Sequence, residues 1–268
     1  MARDLDGSSD FLEATVSQGI PLSFGCHYYV AAANFADTIM AVDTSGAQGH
    51  MVRMYTTAAG GVVVNSVQSP VQKDFTTTGV LNTGSWEIAL VVVHSATERY
   101  LYSSTAARGG SSSEPSISPS DMNRVVLGAM NWGAPKIQHL DGSVAWAAVW
   151  NGALSQASAE AFVAGAHPLL IEPEILKEFW PIYGHTAPEI GLLGAGTMAV
   201  TGSTEVASPL CPLQEPWMVN YTPPGAADGD GGGAHSPIIN GGSAFATGLF
   251  GGRIIRPDTI RGAVEEAA

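Results

Sequence analysis

Charge is what this chain of 268 residues has least of: Asp, Glu, Lys and Arg make up 13% of it, about half the share of an ordinary soluble domain. Acidic residues number 24 against 11 basic ones, for a formal net charge of −13. A polyanion is therefore repelled over most of the surface, and neither nucleic acid nor anionic membrane is expected as a partner. Cysteine is nearly absent. Cys26 and Cys211 are too few and too far apart for a disulfide framework or a metal knuckle, and buried free thiols are expected. No apolar run approaches the length of a membrane span. The opening MARDLDGSSD carries charges where a secretory signal needs an apolar segment, so Sec export is not expected.

What is present is a hydrophobic fraction of 45% with Gly 32 and Pro 16, a mixture that suits many short strands joined by turns. Short runs rich in Val, Ile, Tyr and Trp predict strands at 11–16, 22–32, 38–42, 51–56, 61–67, 86–94, 99–104, 124–130 and 143–150, because such residues pack well on a pleated, half-buried surface. The stretch 107–121, ARGGSSSEPSISPSD, reads as an exposed loop. In 143–150, Val144, Trp146, Ala148 and Trp150 alternate with Ala145, Ala147 and Val149. Both faces are apolar, so this strand is expected under cover on each side.

A helical period starts only after Asn151. Ala157, Ala159, Ala161, Phe162 and Ala164 predict one short helix with Ser155 as its N-cap and Gly165 as its stop. A second helix is expected over 173–179, opened by Pro173 and with Glu172 and Glu174 at its positive end. Short strand-like pieces follow at 198–201 and 205–207, flanking a Gly-Ser turn. From 223 onward the composition shifts to PPGAADGDGGGAHSP and similar text, which buries little by itself. The organisation expected is a sandwich over 1–166, a helix with an irregular extension over 167–224, and a glycine-rich arm over 225–268.

Four stretches, in order, resemble the laminin-G/concanavalin A-like jelly rolls found in bacterial and phage proteins. They are LDGSSDFL at 5–12, TGSWEIALVV at 83–92, RYLY at 99–102 and LDGSVAWAAVWNGALS at 140–155. The resemblance implies an all-β, antiparallel two-sheet sandwich with one short helix after its last strand. Such jelly rolls include glucanases, whose retaining chemistry needs paired carboxylates about 5–5.5 Å apart. No strand here carries such a pair: Glu87 stands alone in 86–94, and Glu172 and Glu174 suit a helix N-terminus. No nucleophile elbow, zinc-protease helix or phosphate loop is present. The seven histidines (His27, His50, His94, His139, His167, His185 and His235) are scattered without ligand spacing, and Asp228-Gly-Asp230-Gly is half a calcium loop whose remaining ligands are missing. Neither catalysis nor a cofactor is expected.

Folds that this one resembles often bind glycans, for which aromatic faces and nearby amides or acids are needed. Asn131, Trp132, His139 and Asp141 are the candidate set, with a cap on the sandwich edge as the alternative role for Trp132. Trp86, Trp146 and Trp150 are expected in the core. In the arm, Ile238, Ile239, Phe245, Leu249, Phe250, Ile254 and Ile255 are apolar anchors able to lie in a neighbour's groove, and Arg253, Arg256 and Arg261 can pair with an acidic neighbour. The order of jelly roll, helix and Gly/Pro-rich tail also resembles phage structural proteins. The leading expectation is therefore a virion surface component on the phage head, a capsid decoration or minor capsid protein docked through the arm onto capsid protein or copies of itself. The second is a lectin-like module that binds a host surface glycan. A polysaccharide hydrolase ranks third.

Overall fold

The computed structural model describes residues 2–32, 36–44, 50–68, 71–76, 82–111, 119–131, 136–184, 187–193 and 196–207. Trp132 and every candidate contact of the arm, from Ile238 to Arg261, lie outside the described residues. In chain order the strands are β1 Ala2–Asp6, β2 Phe11–Gln18, β3 Leu22–Val30, β4 Thr38–Asp43, β5 His50–Thr56, β6 Val62–Gln68, β7 Val71–Thr76 and β8 Trp86–Val93. There follow β9 Arg99–Ser103, β10 Ala106–Ser111, β11 Met122–Leu127, β12 Asp141–Trp150, β13 Leu176–Pro181, β14 Glu189–Ile190, β15 Thr197–Thr201 and β16 Thr204–Val206. The single α-helix among the described residues, α1, spans Gln156–Val163.

Every pairing between these strands is antiparallel, and they form two sheets. The first runs β10-β9-β8-β3-β12-β1-β16, with β13 also on β12, and the second runs β14-β15-β2-β11-β4-β5-β6-β7. The all-β sandwich is thus the architecture of this chain. Alternation builds it: in β2, Leu12, Ala14 and Val16 are buried while Glu13, Thr15 and Ser17 are not, so one face seeks cover and the other takes water. Facing residues of both sheets, among them Leu12, Phe24, Val42, Val64, Val91 and Val125, close into one core. Burying each such side chain contributes about 1.5–3 kcal/mol.

A second apolar layer lies on the outer face of the first sheet. Ala145, Trp146, Ala148, Trp150 and Leu90 pack there under Phe162 of α1, which meets Trp146 and Trp150 edge-on, each with ring centroids 5.2 Å apart. Gly25 makes room for this helix: a Cβ there would lie 2.8 Å from Phe162 Cε1 and 2.5 Å from the Ala89 carbonyl. Trp146 and Trp150 sit in this layer as expected, whereas Trp86 stays half-buried at its margin.

Four sequence expectations are corrected here. The strict alternation read in 143–150 fails at Ala145, where the register against β3 shifts between Val144 and Trp146. Val144, Ala147 and Val149 consequently face the inter-sheet core, and Ala145 joins the outward tryptophans, as a β-bulge dictates. The helix expected over 173–179 is replaced by β13, which pairs with β12 from Trp150 to Trp146. A free half-edge of β12 outweighs the modest helical preference of Glu, Leu and Lys. The loop expected over 107–121 begins with the last residues of β10, paired to β9. Finally, β1 and β7 were not legible as strands, because their charged and polar texts ARDLD and VQKDFT gain their order from pairing.

The Gly202-Ser203 turn is present but does not close a hairpin. It carries the chain from β15 on β2 in the second sheet to β16 on β1 in the first. Both residues have positive φ, +64° and +54°, and a Cβ on Gly202 would lie 1.7 Å from Asp10 Oδ1, so glycine is required there.

Candidate functional site

Among the described residues no helix covers the outer face of the second sheet, and the described parts of the β11–β12 connection, 128–131 and 136–140, lie against it instead. Met130 and Ile137 form a bridge closed by backbone hydrogen bonds of 2.8 and 3.0 Å. Leu140 N–H donates to the Gly128 carbonyl and Thr38 N–H to that of Gln138, each at 2.9 Å. Met130 packs with Ala41, Met51 and Val67, which fastens the connection over β4, β5 and β6.

Beside it, four charged side chains, from β2, β4, β11 and the β11–β12 connection, meet in one strip. Arg124 on β11 stands opposite Asp43 on β4, and its Nε donates to Asp43 Oδ1 at 2.8 Å. Its Nη1 lies 3.5 Å from Glu13 Oε2 on β2, and Lys136 Nζ lies 2.8 Å from the same oxygen. Lys136 Nζ also sits 3.9 Å from the Phe11 ring centroid, a cation–π contact. Exposure grades along the strip: the Glu13 side chain is 33% exposed, Lys136 14%, Arg124 13% and Asp43 2%. Burial pushes the Asp43 carboxyl up to about 6 although the Arg124 hydrogen bond draws it down. Its Oδ2 has no hydrogen-bond donor among the described residues.

Two of the sequence candidates bracket this strip. Asn131 Nδ2 donates to the Thr44 carbonyl at 3.4 Å, just past Asp43. His139 lies against Phe11 at 6.4 Å between ring centroids, with Nδ1 3.2 Å from the Asp10 carbonyl and Nε2 3.1 Å from that of Lys136; a neutral ring donates to one of them. Asp141 belongs elsewhere, at the start of β12 in the other sheet, paired in register with Asp6. A second polar group adjoins the strip on the same face. Arg53 on β5 donates through Nη1 to Thr38 Oγ1 at 3.1 Å and to Gln138 Oε1, while its guanidinium lies 4.3 Å from the Tyr55 ring centroid.

Sequence reasoning missed Glu13, Asp43, Arg124 and Lys136. Strand pairing joins Glu13, Arg124 and Asp43, and the β11–β12 connection brings Lys136 to them. The available signal was rarity: in a chain with 13% charged residues, a charge at an outward position of an apolar strand marks a face with polar work to do. Glu87, the lone carboxylate of β8, is a core residue. It is 1% exposed, accepting the Tyr28 hydroxyl at 3.1 Å and the Asn82 N–H at 2.8 Å. Among the described residues no group of His, Cys, Asp or Glu is placed to hold a metal. Glu172 does serve a helix N-terminus, but that of α1, where its Oε1 accepts the Ser155 N–H.

No curated protein matches this sequence. Among solved structures, a native heptameric SAP-like pentraxin from Limulus polyphemus superposes with a TM-score of 0.52 at 12% identity, covering 75% of this chain and 94% of that one. A candidate carbohydrate binding protein from Bacteroides ovatus gives 0.54 at 16% identity, with 76% of this chain matched to 58% of the other. At these identities both show the fold. The family model of the Concanavalin A-like lectin/glucanases superfamily matches residues 15–159, from the middle of β2 into α1. By that match, over the strands that build both sheets, the chain belongs to the concanavalin A-like lectin/glucanase superfamily.

Proposed function

We propose that this chain is a non-catalytic carbohydrate-binding module whose ligand lies along the Phe11–Glu13–Lys136–Arg124 strip. The observation that carries the reading is the composition of that strip. Two cations and two carboxylates offer donors and acceptors side by side, with the half-buried ring of Phe11 next to them. Sugar hydroxyls both donate and accept, and charged partners make the stronger hydrogen bonds. The paired strip is close to neutral, so it suits an uncharged glycan better than an ionic one. The name of the Bacteroides ovatus protein points the same way. The reading of the chain as a phage capsid component draws only on the order of jelly roll, helix and tail, and the comparisons favour carbohydrate recognition over it.

The test is retention on an array of bacterial and host polysaccharides. Lys136→Ala and Glu13→Ala are expected to weaken retention about tenfold, the usual cost of truncating a central contact, with circular dichroism unchanged. Trp132→Ala tests the aromatic that the sequence itself offers. Retention unaltered in all three variants rules the strip out.

A further inference from the structure

The opposite face of the sandwich carries a second polar and aromatic row. Register aligns Thr204 on β16 with Asp4 on β1, Asp4 with Ser143 on β12, Ser143 with Tyr29 on β3, and Tyr29 with Trp86 on β8. Their inward neighbours Leu5, Val144, Tyr28 and Val30 fill the inter-sheet core, so the row faces outward by alternation. Contacts agree: Ser143 Oγ donates to Asp4 Oδ1 at 2.9 Å, and the Tyr29 and Trp86 rings lie 5.8 Å apart. Helix α1 sits over Gly25, farther along the same strands, and leaves Asp4, Tyr29 and Trp86 half-buried and Thr204 exposed.

Beneath the aromatic end, His27 lies between Trp86 and Trp146, at 5.1 and 5.6 Å between ring centroids. His27 and Trp146 are 9% and 1% exposed, and His27 Nδ1 and Trp146 Nε1 have no hydrogen-bond partner among the described residues. Buried orphans of this kind are costly. Each is an atom that a hydroxyl can satisfy, since a hydroxyl donates to an imidazole nitrogen and accepts from an indole N–H.

We infer that the Asp4–Ser143–Tyr29–Trp86 row is a second ligand site, on the helix-bearing sheet, for a neutral oligosaccharide. The inference takes its ligand class from the carbohydrate reading above but is independent of the face proposed there. Anionic sugars are disfavoured by Asp4, by the nearby pair Asp6 and Asp141 and by the net charge of −13. A lone organic cation would also suit the rings. However, Asp4 lies two strand spacings from Tyr29, about 10 Å, and one of its oxygens is held by Ser143, so ring and carboxylate do not converge on one ammonium. An extended chain of sugar hydroxyls meets both ends.

The experiment is calorimetric titration of the full chain with cellopentaose and mannopentaose, and with tetramethylammonium as the cationic probe, following tryptophan fluorescence in parallel. The expected result is saturable binding of an oligosaccharide that Trp86→Ala and Asp4→Asn each weaken about tenfold at one class of site, while Lys136→Ala leaves that class intact. Asp4→Asn keeps the test open should Trp86→Ala fold poorly. Oligosaccharide binding that survives both variants and is lost in Lys136→Ala overturns this second site and leaves the first. Loss in Trp86→Ala and Asp4→Asn with Lys136→Ala fully active upholds the second site and removes the first. Binding of tetramethylammonium alone, or of no probe at all, overturns the inference.

Discussion

Glu172 Oε1 accepts the backbone N–H of Ser155 at 2.9 Å, across seventeen residues of chain. Ser155 in turn accepts the Ser158 N–H through its own hydroxyl, so the N-terminus of α1 is capped once locally and once from afar. Burial raises the Glu172 carboxyl, but hydrogen bonds from Ser155 and Ser158 outweigh it and hold it below its ordinary range. Glu172→Ala is expected to cost about 1 kcal/mol, read as a lower urea midpoint with unchanged slope. An unaltered midpoint removes Glu172 from the cap.

At Gly25 the helix and the sheet approach closely. Adding one methyl group there meets the Ala89 carbonyl and the Phe162 ring at once. Gly25→Ala should destabilise the domain by about 3 kcal/mol, at the upper end for overpacking, and loosen α1. Amide exchange of Ala159 and Phe162 would report it, and native protection in the variant contradicts the packing described.

Arg3 and Glu189 form a buried ion pair, Nε to Oε1 at 2.9 Å, and the same carboxylate accepts the N–H groups of Gly184 and Tyr183. Removing one partner of such a pair leaves a buried charge and costs about 3–5 kcal/mol. Glu189→Ala is therefore predicted to unfold at clearly lower denaturant, with β1 exchanging first. If Glu189→Ala matches the parent chain, the pair contributes little and pairing of β1 with β12 and β16 holds the N-terminus.

Acid should destabilise this protein earlier than its carboxylates alone would require. Burial lowers both His27 and His167 to about 4, below the unfolded value of about 6.5. Their neutral forms contribute stability that is complete above 6.5 and lost as pH falls through 4, about 3 kcal/mol each at most. Asp43 acts in the opposite sense: with its carboxyl raised to about 6, its contribution is complete below about 4 and lost as pH rises through 6. The histidines outweigh it, so the melting temperature is expected to drop between pH 6.5 and 4, and His167→Gln should flatten that drop. A flat profile in the parent chain contradicts the burial of both rings.

Much of the sandwich was legible as text because its central strands are unambiguous. β8 and β12 are rich in Val, Ala and Trp and β3 in aromatics, and Ser155 followed by alanines admits little but a capped helix. The outer strands were less legible: β1, β10 and β13 have compositions compatible with loop or helix, and they become strands because a neighbour offers an open ladder. The candidate sites follow the same division. Of the residues proposed from the sequence, Asn131 and His139 lie beside the strip, whereas Asp141 fell to the other sheet once β12 was placed.

By itself the sequence determined which residues must leave water and with what period, and therefore two stacked sheets with a helix appended, since those choices depend on each residue's own propensity and hydrophobicity. The tertiary structure alone decided that β1 and β13 divide one edge of β12 at Ala145, and that Glu13, Asp43, Arg124 and Lys136 share a face. These are relations between segments far apart in the chain, 81 residues for Asp43 and Arg124 and 123 for Glu13 and Lys136, and no local pattern encodes a distance of 2.8 Å between Lys136 and Glu13.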